Sequence, residues 1–144
     1  CFQDLLNLIK DLSVENEVTL IKDYLDADDV STVLNEQDLI VYPYQNSNES
    51  SSASVRDGLS SLKPILVTPL SIFDDVSDLV DYFQGMTPFD LANGINSWYR
   101  KFQDNPVEIK KLNILRAKLI KERTFSKLSL RLYSTINSLE INKD

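Results

Sequence analysis

The sequence contains no histidine, one cysteine, three glycines and five prolines in 144 residues. Without histidine there is no Ser–His or Cys–His pair, so triad hydrolysis is excluded, as is zinc held by imidazole. One cysteine, Cys1, cannot staple the chain to itself, which rules out an internal disulfide framework. So little glycine and proline argues against disorder over most of the length. No run of twenty apolar residues occurs, so no transmembrane span is expected. A reducing, cytoplasmic compartment is the default. Position 1 is not methionine and no basic-then-apolar leader precedes the first helix pattern. A piece of something longer is therefore expected.

What is present is an ordinary globular composition, 42% hydrophobic and 26% charged, at a length suited to one domain, 1–144. The net charge of −7 is unevenly spread. Acidic residues dominate roughly the first ninety positions, whereas Arg100, Lys101, Lys110, Lys111, Arg116, Lys118, Lys121, Arg123, Lys127 and Arg131 make the C-terminal third basic. An acidic body argues against general nucleic-acid binding, which needs a basic footprint. The basic third reads as a solvated helix face; peripheral contact with anionic lipid at the inner face of a membrane is the other reading.

Apolar periodicity divides the chain. Phe2, Leu5, Leu6, Ile9 and Leu12 fall at helical spacing, and Asp26 with Asp29 resembles an N-cap ahead of Val30, Val33 and Leu34. Four strands are expected: Val18–Ile21, Asp38–Pro43, Lys63–Pro69 and Leu79–Phe83. Ser50 to Leu62 lies between the second and third, so the expectation is a set of parallel βαβ units in an open, doubly wound α/β sheet. From Thr87 onward the pattern is helical throughout. Thr87-Pro88 and Asn105-Pro106 are start signals, and 106–144 forms terminal helices. Leu91, Ile95, Trp98 and Phe102 form one apolar stripe, with Trp98 read as core, and Phe125, Leu128, Leu132, Ile136 and Leu139 another.

The polar patch Asn46–Ser52 leaves the carboxyl end of a buried strand and enters a helix, which is where open α/β sheets bind ligands. A helix start offers free backbone amides and a positive dipole end, both suited to a diphosphate. Ser50, Ser51, Ser52 and Ala53 are small enough for a phosphate to approach the backbone. Ser50, Ser54, Asp57 and Ser61 share one face, where the Asp57 carboxylate can accept hydrogen bonds from ribose hydroxyls; Ser52, Val55, Leu59 and Leu62 share the face that packs on the sheet. Read from the residues alone, a phosphate-and-sugar site and a serine-rich capped helix both remain open.

The order Asp38–Gln45, Glu49–Leu59 and Pro64–Leu70 resembles the C-terminal domain of group 1 (family 4) retaining glycosyltransferases of the GT-B fold. Gly85, Pro88, Leu91, Ala92 and Ile95 match the helix after that family's donor site, and Phe125–Leu139 is similar to its terminal helix. The resemblance implies a Rossmann-like sheet that binds a UDP- or GDP-type nucleotide sugar. The acceptor would be a saccharide or lipid-linked saccharide, held by an N-terminal domain absent from this sequence, and the context cell-surface polysaccharide synthesis. It implies a catalytic position at Glu49, contacting the donor sugar's hydroxyls, and ribose contact at Asp57, which stands where the family usually carries Glu. Diphosphate contact falls to the turn at Ser51 and Ser52. Chemistry without metal or cofactor is also implied, as is binding without turnover by this piece alone.

Two other classes stay in view: a non-catalytic doubly wound module for a nucleotide or phosphorylated ligand, with a regulatory role, and a helical interaction domain working through the last three helices. Asp74 and Asp75 are read as helix-start residues rather than metal ligands, and Tyr42, Tyr44 and Phe73 as packing rather than base-stacking groups.

Overall fold

Parallel strands and helices alternate through the middle of the molecule, and helices alone follow, in the computed structural model, which describes residues 2–141. Cys1 lies outside the described residues. α1 (Phe2–Asp11) and α2 (Ala27–Asn35) come first, then β1 (Ile40–Tyr42), α3 (Ala53–Ser60), β2 (Ile65–Val67), a 3₁₀ helix (Ser71–Val76) and β3 (Asp81–Tyr82). α4 (Pro88–Asp104), α5 (Pro106–Glu122) and α6 (Phe125–Ile141) follow. The sheet order is β1-β2-β3, all parallel, with Ile40 opposite Ile65 and Leu66 opposite Asp81. The fold is α/β and mostly helical.

The expected strand at Val18–Ile21 does not form, so among the described residues the sheet has three strands rather than four. The Val18 amide donates instead to the Val14 carbonyl at 3.1 Å, closing a turn, and Val18 and Ile21 are 40% and 56% exposed. A β-branched run becomes a strand only where a sheet edge takes its hydrogen bonds and a neighbour covers one face. This segment has neither.

The core gathers on one face of the sheet. Ile65 and Val67 are fully buried and pack with Val55 and Leu59 of α3, with Ile72, Phe73 and Val76 of the 3₁₀ helix, and with Leu79 and Val80. Leu66 points the opposite way, as strand alternation requires, towards α4 and α5. The face expected of α3 holds for Ser52, Val55 and Leu59. Leu62 departs from it: the helix has already ended, its φ is +59°, and its side chain is 48% exposed.

Local chemistry sets the helix starts. Asp26 accepts from the amides of Asp28 and Asp29 at 3.1 and 2.9 Å, capping α2. Thr87 and Asp90 form a reciprocal capping box ahead of α4, with Pro88 in its first turn. The hydrogen bonds from Thr87 hold the Asp90 carboxyl below the usual carboxylate range. Asn105 precedes Pro106 as expected but makes no side-chain cap bond. Trp98 is not core: it is half-buried and stacks on Phe102 with ring centroids 5.3 Å apart. α4 buries no residue fully, and α6 carries its apolar stripe uncovered, Phe125 being 94% exposed. No helix among the described residues is long and apolar enough to cross a membrane.

Candidate functional site

β1 ends at Tyr42, and ten residues of loop carry the chain to the first turn of α3. Ser52 is the pivot. It is 2% exposed, and its Oγ accepts the Val55 amide at 3.2 Å, which fixes where the helix begins. The amides of Ala53 and Ser54, one turn too early for a helical acceptor, are left to other partners. Ala53 and Ser54 are both exposed, so that end of the helix dipole opens to solvent.

Tyr42 anchors the first turn of α3, and Thr68 anchors the loop before it. The Tyr42 hydroxyl donates to the Ser54 carbonyl at 2.6 Å. Burial, and then the neighbouring Asp57 carboxylate, push this phenol up to about 12. Gly58 permits the approach, because a Cβ there would sit 2.6 Å from the Tyr42 hydroxyl. Tyr44 leans on Phe73 at 5.3 Å and edge-on to Tyr42 at 6.2 Å, so all three aromatics are occupied in packing, as expected. Thr68, fully buried at the end of β2, donates to the Tyr44 carbonyl at 2.7 Å and ties the loop to the sheet.

Glu49 and Asp57 lie on either side of this helix start, and both are exposed. The Glu49 amide donates to Ser47 Oγ at 3.2 Å, shaping the loop, and Glu49 itself is exposed. Ser50 is exposed and Ser51 half-buried. Arg56 spans the helix: one guanidinium nitrogen reaches the Ser52 carbonyl at 2.7 Å, and another pairs with Asp75. Asp75 is thereby an ion-pair partner inside the 3₁₀ helix rather than a helix-start residue. Among the described residues no group of three or more His, Cys, Asp or Glu is placed to hold a metal. Glu49, Ser50, Ser51 and Ser52 thus lie on the loop before α3, and Ala53 and Asp57 within the helix, so the segment presents small side chains and two exposed carboxylates around the helix start. Such a surface can hold an anion at the helix start and accept hydrogen bonds from hydroxyls beside it.

The turn is an open surface, not a cleft. A cavity of about 430 Å³ lies on the other face of the sheet between β2, β3, α4 and α5, and none of the expected site residues lines it. Its walls include Leu66, Asn93, Trp98, Asn113 and the pair Arg116–Asp81 at 3.0 Å. Sequence reasoning missed it. The signal was Asn93, Ser97 and Asn113, polar residues set among the inward-facing positions of α4 and α5.

No family model matches the chain, and neither the curated proteins nor the solved structures compared with it include a match.

Proposed function

We propose that this chain binds a nucleoside-diphosphate sugar as the donor-binding part of a retaining glycosyltransferase, using a Rossmann-like parallel sheet. The supporting observation is the start of α3: Ser52 caps it from a buried position, and the amides of Ala53 and Ser54 open to solvent between two exposed carboxylates. In this reading the diphosphate lies on the amides at Ser51–Ser54, where the helix dipole stabilises the charge that grows as the glycosidic bond breaks. Asp57 accepts from the ribose hydroxyls. Glu49, on the loop side, accepts from the hydroxyls of the sugar, and Ser50 and Ser51 leave room for the pyrophosphate. The sugar passes to an acceptor hydroxyl, with retention at the anomeric carbon.

Thermal unfolding with UDP, GDP and inorganic phosphate tests this. UDP or GDP should raise Tm by a few degrees and phosphate by less, because binding to the native state alone stabilises it by about RT ln(1 + [L]/Kd). Glu49→Ala should remove the added response to the corresponding nucleotide sugar, and Asp57→Ala the preference for nucleotide over phosphate. A chain indifferent to every nucleoside diphosphate, or one whose response survives both substitutions, would overturn the assignment.

A further inference from the structure

The rotation of α5 is set by its inward side, where Ile109 is buried at 7% exposure and Leu112, Arg116, Leu119 and Ile120 are half-buried. The outward side is then positions 107, 110, 111, 114, 118 and 121, spaced by threes, fours and sevens along one helix face. Four of these are exposed lysines, Lys110, Lys111, Lys118 and Lys121. Between them stand Val107 and Ile114, 67% and 63% exposed.

This charge is not neutralised from within. The two carboxylates of α5 are engaged elsewhere, Glu108 with Lys101 at 3.9 Å and Glu122 with Lys127 and Arg131 at 3.4 and 3.2 Å. Among the described residues none of the four lysines has an ion-pair partner. Beside them an apolar groove of about 350 Å³ runs between Leu62, Phe102 and Ile114, with Leu62 48% exposed.

We propose that this face of α5 docks on an anionic lipid bilayer, its lysines meeting the headgroups while Ile114, Val107 and the groove take the upper part of the acyl layer. Lysine carries a hydrated point charge on a long apolar stem, which suits a diffuse sheet of headgroups. A nucleic-acid face would be expected to offer arginine forks or stacking aromatics, and the outward positions of α5 hold neither. With Val107 and Ile114 on the same face as the four lysines, the lysine stems can lie along the aliphatic side chains while their ammonium groups reach outward to the headgroups. The net charge of −7 does not oppose this, because charges more than about 8 Å from the surface are screened at physiological salt, and the acidic residues concentrate in the first part of the chain.

The proposal is independent of the nucleotide-sugar reading. Its test is flotation of the full chain with phosphatidylcholine vesicles, with and without phosphatidylglycerol. Binding should require phosphatidylglycerol and fall at least ~10-fold between low salt and roughly 0.5 M NaCl. K110Q/K111Q/K118Q/K121Q should lose roughly 100-fold or more in affinity, and the corresponding four-arginine variant should retain it. Ile114→Asn, which leaves the charge intact, should lose about 5-fold. Unchanged thermal unfolding of the variants separates lost docking from lost folding. Equal binding to neutral vesicles, or wild-type binding by the four-glutamine variant, would overturn the proposal. So would binding to polyglutamate or duplex DNA as tight as to the vesicles and indifferent to Ile114→Asn, which would make an acidic polymer the occupant.

Discussion

Among the described residues, every buried hydrophobic except Ile109 lies between Ile40 and Phe83, although α4, α5 and α6 are as rich in leucine, isoleucine and aromatics as the sheet region. The two regions differ in what covers them. β2 has a neighbouring strand on each side and α3 on one face, so its three apolar side chains are enclosed at once. α6 has an apolar stripe at correct helical spacing, but Phe125, Leu132 and Leu139 remain 94%, 62% and 63% exposed. Amphipathic spacing shows which side of a helix can be buried. Burial itself needs a second surface.

The largest effect that would sharpen this contrast comes from deleting one phenyl ring in each region. Phe73→Ala, at a position with no exposure, should cost about 3–5 kcal/mol in urea unfolding. Phe125→Ala should stay within about 0.5 kcal/mol. A similar cost for both would mean that α6 is covered in solution. Gly94→Ala probes the seam between the regions, since a Cβ on that turn of α4 would run into the ring of Phe83, itself 2% exposed. Alanine is ordinarily better in a helix by about 1 kcal/mol, but overpacking of about 1–3 kcal/mol should outweigh it and lower the denaturation midpoint. A stabilised variant would show that α4 sits loosely on the sheet.

A smaller effect is expected at the helix start itself. Ser52→Ala removes the cap on α3 and should cost about 1 kcal/mol, read from the urea midpoint. The mildest is a pH dependence. The Tyr42 phenol is raised to about 12 in the folded chain, against about 10 for a free tyrosine. Its contribution is therefore fully present below pH 10. It is lost as the pH rises from about 10 towards 12, because the unfolded chain gives up its proton first. Tyr42→Phe should flatten that part of the stability profile, and an unchanged slope would exclude Tyr42 as its source.

Much of this was legible from the residues. Asp38–Pro43 and Lys63–Pro69 announced buried parallel strands as unbroken apolar runs, and β1 and β2 form inside them. Thr87-Pro88 announced the start of α4, to which the structure adds the reciprocal bonds with Asp90. Asn46–Ser52 gave away the loop that leads into α3. Val18–Ile21 misled because β propensity describes a residue's fit to a sheet and says nothing of whether an edge is available. Trp98 misled for a related reason: its stripe is real, but it faces a cavity instead of packed side chains. That cavity assembles from β2, β3, α4 and α5, and its one trace in the sequence is the polar residues Asn93, Ser97 and Asn113 on the helices that line it. Arg56 and Asp75, nineteen positions apart, are another pairing that only the packed 3₁₀ helix creates.

The parallel register has a consequence in time. Parallel neighbours cannot be joined by a tight hairpin, so β1 and β2 meet only after the chain from Tyr42 to Ile65 has doubled back through α3. The entropy of closing that excursion is spent before the first ladder bond repays it, and β3 requires a second excursion from Val67 to Asp81. The three C-terminal helices need no such closure, and their turns can form and dissolve on the sub-microsecond scale of isolated helices. The expectation for refolding is therefore that turns of the C-terminal helices flicker early, and that the slow step is the pairing of the short sheet at the centre of the molecule.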